Sequence, residues 1–370
     1  MSKPKSRSLR RRDLLAASAA APAAALMTSS AAAQSASPKR GRRLIEEDDP
    51  ANLKIAHIMN ANVSDDFLLF CKQIGLKWAR LMYHEDPHVD KVRAVQKRFE
   101  SFGVRVYCAT HYAHRSMKIQ LGKPDRDQDI ETYQTFLRSI GALGIHVASY
   151  DFHPANTYTT SMVEHRGYKT RQFSVKDFRE KVEKPAFERE YSAEDIWSFY
   201  TYFMKAVLPV AKEAGVYMAL HPDDPPLAKM NGVAKLFVHY DGYKRAEQIA
   251  GDNKFWGVRL CVGTWMEGGD KMGKDSFEMI RDFGPRGRLW DIDFRNVSSP
   301  LPVFHETFPD EGYTDMYRIL RTLREVKYSS GIVPDHIPPL AGDDRDKRAG
   351  LAYCVACMRQ WLTRANEEVG

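Results

Sequence analysis

Cysteine is scarce in this chain of 370 residues, which contains five, at positions 71, 108, 261, 354 and 357. A small and odd number of cysteines argues against a framework of structural disulfides. With 43% hydrophobic and 28% charged residues, the composition also excludes a disordered or collagen-like protein. The length allows either two domains or one large domain.

An excess of charge of one sign is nearly absent once the first 33 residues are set aside. The whole chain has a formal net charge of +7, but residues 1–33 contain six lysines and arginines and one aspartate. The remainder has 49 basic and 47 acidic residues. Because this balance leaves no strong attraction for a polyanion, we expect no nucleic-acid partner.

Residues 1–33 have the pattern of an export signal. Arg11 and Arg12 precede an alanine-rich stretch without charge, which ends at residue 33. This arrangement resembles a twin-arginine signal, so we expect delivery to the periplasm by the twin-arginine export machinery. Residues 34–50 are polar and predict a flexible linker. No other stretch approaches the ~20 apolar residues of a membrane-spanning helix, so we expect no membrane span in the mature protein.

From residue 53 onward, short apolar runs alternate with segments of 3.6-residue periodicity. Eight strands alternating with eight helices predict a (β/α)₈ barrel, an α/β fold, over residues 51–370. The alternative is an open doubly wound sheet, but no Gly-x-Gly-x-x-Gly follows the first strand. The predicted strands are 54–59, 78–83, 104–109, 147–152, 216–220, 257–262, 289–294 and 332–335, and the predicted helices are 66–73, 89–101, 130–143, 193–214, 243–250, 276–283, 313–327 and 347–366.

A long polar insertion follows the fourth predicted strand, over residues 154–191. It includes Arg166 and the tripeptide Lys169-Thr170-Arg171. Long loops at the C-terminal face of a barrel commonly cover an active site, so we expect this segment to be a lid.

The last four predicted strands each end near a side chain that can bind a metal ion. His221, Cys261, Asp293 and Asp335 are spaced by one strand–helix–strand unit each, and the carboxyl ends of barrel strands converge. One imidazole, one thiolate and two carboxylates suit Mn²⁺, Fe²⁺, Co²⁺ or Zn²⁺ and argue against a pure Mg²⁺ or Ca²⁺ site. Taken singly, Cys261 also fits a buried apolar role, and an aspartate at a strand end also fits a helix cap.

Two further cysteines, Cys354 and Cys357, have the spacing of half a zinc site. No second cysteine pair exists, and their segment has an apolar helical pattern. Packing of a helix is therefore the better interpretation of this pair.

The segment His221-Pro222-Asp223-Asp224-Pro225-Pro226 resembles the His-Pro-Asp-Asp-Pro-Pro segment of mannonate dehydratases, the metal-dependent enzymes of hexuronate breakdown. The resemblance extends over roughly residues 50–345, and more loosely includes Tyr150-Asp151-Phe152-His153-Pro154. Further matching motifs, in order, are Cys261-Val262-Gly263-Thr264, Phe283-Gly284-Pro285-Arg286, Arg295, Phe304-His305-Glu306, Asp315-Met316-Tyr317 and Pro334-Asp335-His336.

This resemblance implies a barrel of the xylose-isomerase type with one divalent metal ion, usually Mn²⁺, at the C-terminal face. It implies His221, Cys261 and Asp335 as ligands. The remaining ligand of the family is a histidine, where this chain has Asp293. Aspartate can still bind the metal, but its negative charge would weaken the metal as a Lewis acid.

A second departure from the family concerns its catalytic tyrosine, which falls near Leu351. Tyr353 lies two residues away, and residues two apart on a helix point about 200° apart. We therefore expect an acid–base partner to be missing unless the loop repositions Tyr353. The family's glycine-rich segment after Pro-Asp-His is also replaced, by residues 337–340.

The resemblance implies an aldonate substrate, whose C2 proton is removed and whose C3 hydroxyl leaves. We expect His336 to be the base, because an imidazole titrates near neutral pH, or alternatively to support a metal ligand. We expect Arg295 to bind the substrate carboxylate, or alternatively to form an ion pair with Asp291 or Asp293.

His305 and Asp223 are the remaining candidate catalytic residues, as hydroxyl-binding or proton-relaying groups, although helix capping also explains Asp223. The sequence thus predicts a metal-dependent lyase that converts D-mannonate to 2-keto-3-deoxy-D-gluconate. One alternative is a metal-dependent sugar isomerase or epimerase, or a lyase acting on an oxidised glycoside, since each uses the same proton abstraction. Another is a non-catalytic carbohydrate-binding protein. An oligomer is compatible with the sequence.

Overall fold

The computed structural model describes residues 46–251 and 253–370. The predicted export signal, residues 1–33, and residues 34–45 of the predicted linker lie outside the described residues. The last linker residues pack on the folded body: Glu47 accepts a hydrogen bond from the Arg359 Nε atom at 3.1 Å, and Asp48 forms ion pairs with Lys77 and Arg105. The folded body therefore begins before residue 51, where the sequence placed its start.

Eight parallel strands close into a barrel, which confirms the predicted fold class. Each strand pairs with its neighbours in chain order, and the last pairs with the first. The strands are β1 Lys54–Asn60, β2 Trp78–Tyr83, β3 Arg105–His111, β4 Val147–Tyr150, β5 Tyr217–Leu220, β6 Trp256–Cys261, β7 Leu289–Phe294 and β8 Gly331–Pro334.

One helix of at least eight residues follows each strand, and these helices cover the barrel. Two differences from the predicted strands are that β3 continues two residues further and β4 ends two residues earlier. The helices are α1 Asp65–Gln73, α2 Val89–Ser101, α3 Arg126–Ala142, α4 Ala193–Ala214, α5 Tyr240–Ala250, α6 Ser276–Phe283, α7 Met316–Glu325 and α8 Arg348–Val369. Shorter helical segments are Tyr112–Arg115, Met117–Gln120, Val175–Asp177, Phe178–Val182, Val262–Gly268 and Gly269–Met272.

Local sequence explains where two of these helices begin and where one of them ends. Helix α4 starts with a capping box, in which Ser192 and Asp195 exchange side-chain-to-backbone hydrogen bonds, and it ends at Gly215 with a positive φ of 68°. Helix α6 starts with the same device, made by Asp275 and Glu278. Within the described part of the chain, no helix combines the length and apolar character that crossing a membrane requires.

The predicted insertion contains a β-hairpin of two strands, Ser161–His165 and Tyr168–Ser174. The second strand pairs antiparallel with Val303–Thr307, which in turn pairs with Asn296–Val297 after β7. We call these four strands the lid sheet. The hairpin turn places Arg166 and Gly167 at positive φ, which suits the right-handed twist of a two-residue hairpin. A separate two-stranded sheet joins Lys229–Met230 and Val233–Ala234.

Candidate active site

Three of the four predicted metal ligands converge at the C-terminal face of the barrel. His221 follows β5, Cys261 ends β6 and Asp293 lies near the end of β7, in register with Cys261. Their ligand atoms lie within 4.8 Å of one another, and all three residues are buried. Asp335 follows β8 but lies outside this group, with its Oδ2 atom 3.7 Å from the Arg295 Nε atom.

The orientation of His221 fits a metal ligand. Its Nδ1 atom lies 2.7 Å from the carbonyl oxygen of Pro222, so this nitrogen donates its proton there. The other ring nitrogen, Nε2, then presents a lone pair 3.3 Å from the Asp293 Oδ2 atom. Two lone-pair atoms this close require a cation between them, a proton or a metal ion.

The thiol of Cys261 is surrounded by hydrogen-bond donors. Its sulfur accepts from the Thr264 backbone N–H at 3.4 Å and from the Arg295 Nη2 atom at 3.5 Å. Burial nevertheless raises the pKa of Cys261 to about 12, against the lowering effect of Arg295. The thiol is therefore protonated at neutral pH until a metal ion displaces the proton.

Two arginines inside the barrel compensate the charge of Asp293, the residue that replaces the family histidine. Arg80 Nη2 and Arg259 Nε each lie 2.7 Å from an Asp293 oxygen, and Arg80 also pairs with Asp291 at 2.9 Å. Burial alone would raise the pKa of Asp293, but the two guanidinium groups hold it well below its ordinary range. The extra negative charge expected at the metal site is thus balanced by fixed positive charges.

His336 forms a second, adjoining group with Glu306 of the lid sheet. The imidazole Nδ1 atom lies 2.5 Å from the Glu306 Oε1 atom, and Nε2 lies 3.7 Å from Asp335 Oδ2. Burial would lower the pKa of His336, but the Asp335 and Glu306 carboxylates outweigh it and raise the pKa above that of an ordinary histidine. A positive φ of 49° places this histidine in the left-handed region, a strained conformation often found at functional sites.

Arg295 is enclosed by carboxylates of the protein itself. Its side chain is 1% exposed; Nη1 lies 2.6 Å from Glu267 and Nη2 lies 2.8 Å from Asp224. Glu306 is the third carboxylate, 3.4 Å away. These partners differ from the Asp291 and Asp293 pairing considered from the sequence. Binding of a substrate carboxylate by Arg295 stays a prediction, and the protein carboxylates occupy both terminal nitrogens.

Asp223 supports the loop after β5 rather than capping a helix. Its Oδ2 atom accepts from the backbone N–H groups of Leu236 and Phe237 at 3.0 and 2.9 Å. Burial raises its pKa to about 6, although Lys235 and these hydrogen bonds lower it. The capping explanation was wrong, because the carboxylate holds a loop instead.

His305 points away from the group that contains His336. It lies next to Glu306 on the strand Val303–Thr307, and successive strand residues face opposite sides. Its ring lies 5.0 Å from that of His165, on the outer face of the lid sheet. The structure therefore brings Glu306 to the site in place of His305.

Helix α8 carries Leu351, which stands near the position of the family's catalytic tyrosine, and Tyr353 two residues further on. Leu351 is fully buried in the core, and the hydroxyl of Tyr353 donates to Asp310. Neither residue supplies a hydroxyl to the metal group. Cys354 is buried on the same helix, with Cys357 one turn on, in agreement with the helix-packing interpretation.

A third group, which the sequence did not reveal as a site, adjoins His221. The ring of His153 lies 5.9 Å from that of His221, and its Nε2 atom lies 3.2 Å from both Asp151 Oδ1 and the Tyr158 hydroxyl. Asp151 and His153 belong to a motif that resembles the family's, which was the available sequence signal. The same holds for Asp224 and Glu306, which adjoin the candidate residues Asp223 and His305. No motif in the sequence pointed to Glu267 as a site residue.

A cavity of about 320 Å³ opens beside Asp335 and His336, within the usual size range of small-ligand sites. Its walls come from the ends of β1 and β8, the lid sheet and the segment before α8. Residues that line it include Asn60, Arg171, Asp335, His336 and Lys347.

Comparison with known proteins matches the sequence motifs. The family profile of D-mannonate dehydratase (UxuA) matches residues 170–358. The chain is 30% identical over 252 residues to a mannonate dehydratase of Streptococcus pneumoniae (strain 70585), covering 61% of this chain and 68% of that protein. It is 28% identical over 283 residues to mannonate dehydratase 2 of Halalkalibacterium halodurans, covering 67% of this chain and 78% of that protein.

Solved structures give the same result for the fold. A mannonate dehydratase from Streptococcus suis serotype 2 superposes with a TM-score of 0.74 at 25% identity, covering 86% of this chain and 96% of that one. A D-psicose 3-epimerase superposes with a TM-score of 0.57 at 13% identity, covering 84% of this chain and all of that one. The second likeness is one of fold.

Proposed function

This chain belongs to the mannonate dehydratase family and is a hydro-lyase, and from that premise we propose that it dehydrates D-mannonate to 2-keto-3-deoxy-D-gluconate with a divalent metal ion. The observation that carries the proposal is the convergence of His221, Cys261 and Asp293 beside the His336–Glu306 pair. Metal-ligand atoms and a positioned base side by side are the parts that proton abstraction next to a carboxylate requires.

The proposed metal ligands are His221, Cys261, Asp293 and Asp335, and the proposed ion is Mn²⁺, with Fe²⁺, Co²⁺ and Zn²⁺ also compatible with this donor set. When bound, such an ion stabilises the negative charge that develops on the substrate oxygens as the C2 proton leaves. Arg80 and Arg259 hold Asp293 ionised and in place for this role.

In the proposed mechanism, neutral His336 accepts the C2 proton at Nε2. Its Nδ1 atom is bonded to Glu306, so Nε2 is the nitrogen left for the substrate. The Glu306 carboxylate stabilises the imidazolium that forms, as the carboxylate of a catalytic triad does.

The leaving C3 hydroxyl needs a proton, and the proposed donor is Tyr158. Its hydroxyl contacts His153 Nε2, which is 3.2 Å from Asp151, and this group adjoins His221. Burial raises the pKa of Tyr158, so the phenol stays protonated at neutral pH. Tyr353 is excluded from this role because its hydroxyl is bonded to Asp310.

The decisive experiment is turnover of D-mannonate by the full chain loaded with Mn²⁺. We expect a 2-keto-3-deoxy acid that is lighter than the substrate by one water, and loss of turnover after chelation. Lys169→Gln, which changes an exposed residue of the lid sheet, is the matched control and should keep the turnover of the parent. A metal-loaded protein that leaves every aldonate unchanged would contradict the proposal.

A metal-dependent sugar isomerase or epimerase is the second candidate, and the burial of Leu351 where the family has its tyrosine favours it. Isomerisation moves a proton without expelling water, so it needs no separate acid for a leaving hydroxyl. Mass analysis distinguishes the two: a product of unchanged mass supports isomerisation.

We also propose that the protein works in the periplasm after twin-arginine export. The support is the Arg11-Arg12 pair followed by an alanine-rich stretch. The five cysteines of the described barrel are unpaired, and Cys261 must stay reduced to bind metal. Export of an already folded barrel would protect this thiol in an oxidising compartment.

A further inference from the structure

The inner face of the lid sheet carries an arginine that faces the site. In the register of the sheet, Phe304 lies opposite Phe173 and His305 lies opposite Gln172. Continuing this register by one residue places Arg171 opposite Glu306, on the same face of the sheet. Glu306 contacts His336, and Arg171 and His336 both line the 320 Å³ cavity.

Arg171 differs from the arginines deeper in the site because its guanidinium forms no ion pair with a described residue, although its charge helps to lower the pKa of Glu306 across the sheet. Arg80 and Arg259 are ion-paired with Asp293, and Arg295 is enclosed by Glu267 and Asp224. Among residues 46–251 and 253–370, no carboxylate lies within ion-pair distance of Arg171. Its donors therefore face the cavity and solvent.

Lys347 supplies a second positive charge to the same cavity. Its Nζ atom donates one hydrogen bond, to the Ile337 carbonyl oxygen at 2.6 Å, which leaves two of its three protons available. Arg171 and Lys347 both line this cavity. Burial and the nearby charge of Arg171 lower the pKa of Lys347, while the Glu306, Asp335 and Asp343 carboxylates act in the opposite direction. Lys347 also has a positive φ of 52°, and a non-glycine residue keeps this conformation only where its surroundings impose it.

We propose that Arg171 and Lys347, rather than Arg295, bind the carboxylate of the substrate. This assignment rests on the proposed function and names the group that selects an acid over an uncharged sugar. A guanidinium binds a carboxylate through two parallel hydrogen bonds, and Arg171, unlike Arg295, has no carboxylate of the described chain within ion-pair distance to occupy its donors. With the carboxylate held at the lid sheet, the neighbouring C2 carbon lies toward His336.

The test compares Arg171→Gln with the parent, both as full chains loaded with Mn²⁺. We expect the KM for D-mannonate to rise about 10-fold to 100-fold, the effect of losing a charge-assisted hydrogen bond, with metal affinity unchanged. Inhibition by mannitol, which lacks the carboxylate, should not change. Arg171→Lys should give a smaller rise in KM, and Lys169→Gln, which removes a charge from the same strand outside the cavity, should give none.

The outcomes separate this inference from the proposed function. If the parent turns over D-mannonate and Arg171→Gln keeps the parent KM, the assignment of Arg171 is overturned while the function stands. If the parent has no turnover, the proposed dehydration is refuted. Calorimetry of D-mannonate binding then tests the assignment of Arg171 to the substrate carboxylate. Weaker binding by Arg171→Gln than by the parent then supports it, whereas equal or absent binding overturns it.

Discussion

The Nδ1 atom of His336 lies 2.5 Å from the Oε1 atom of Glu306, and this contact joins the C-terminal end of the barrel to the lid sheet. The Glu306 and Asp335 carboxylates raise the pKa of His336 despite its burial. A base must be unprotonated to act, so activity should fall as the pH drops below this raised pKa.

Replacing Glu306 therefore changes the pH dependence in a definite direction. Glu306→Gln removes a negative charge, which lowers the pKa of His336 and shifts the acidic limb of kcat/KM to lower pH. His336→Gln should remove the limb and reduce turnover by about 10²-fold to 10⁴-fold. Glu164→Gln, an exposed carboxylate of the lid hairpin, is the matched control. An acidic limb that does not move in Glu306→Gln would refute this role of the contact.

Asp293→His should destabilise the protein although it supplies the ligand type of the family. The change removes a buried carboxylate and leaves Arg80 and Arg259 to share Asp291 alone. An uncompensated buried charge of this kind costs about 3–5 kcal/mol, measured as the free energy of unfolding in denaturant. Asp270→His, at an exposed position, should stay within about 0.5 kcal/mol of the parent. A loss below about 1 kcal/mol for Asp293→His would contradict the argument.

Leu351→Tyr should not restore an acid to the site. Leu351 is fully buried in the core, so the larger ring overpacks its surroundings and is expected to cost about 1–3 kcal/mol. Thermal unfolding of this variant and of Ala356→Tyr, at an exposed position on α8, measures the difference. An increase in dehydration by Leu351→Tyr at unchanged stability would show that the helix turns this position toward the substrate.

Metal binding should release a proton from Cys261. Burial raises the pKa of this thiol to about 12, so it is protonated before the metal binds and ionised afterwards. Between about pH 7 and pH 9, the apparent affinity for Zn²⁺ or Mn²⁺ should rise about 10-fold per pH unit. Calorimetry in buffers of different ionisation enthalpy measures how many protons are released when the metal binds. Cys261→Ser should flatten the dependence, and an unchanged slope in this variant would exclude the thiol as a ligand.

Export should depend on the paired arginines near the amino terminus. Changing Arg11 and Arg12 together to lysine should keep the precursor in the cytoplasm, as shown by cell fractionation. Lys3→Arg, which preserves the charge, serves as the control. Normal periplasmic delivery of the double variant would refute the twin-arginine assignment.

The barrel strands could be predicted because they are buried on both faces and therefore form apolar runs, as in β6, where every residue is buried. The lid sheet could not, because its central pairing joins residues 172–174 to residues 303–305, and no local pattern encodes such a distant register. The Arg166-Gly167 turn between alternating residues was the one local sign of its hairpin.

The candidate site likewise has a part that could be predicted from the sequence and a part that could not. His221, Cys261 and Asp293 were predictable because strand ends converge in any barrel. The partners of each charged group were not, because Arg295 meets Asp224 and Glu267 across 71 and 28 residues of chain. Only folding decides which of several acidic residues comes to face a given arginine.

The lid hairpin is hydrogen-bonded to Val303–Thr307, a strand that emerges from the opposite half of the barrel. Unlike a flap held at one end, this sheet is anchored after both β4 and β7, so opening it would break the hydrogen bonds between its strands. We therefore expect the entrance to change little in width and to select sugars by their cross-section before any contact with the charged groups of the site.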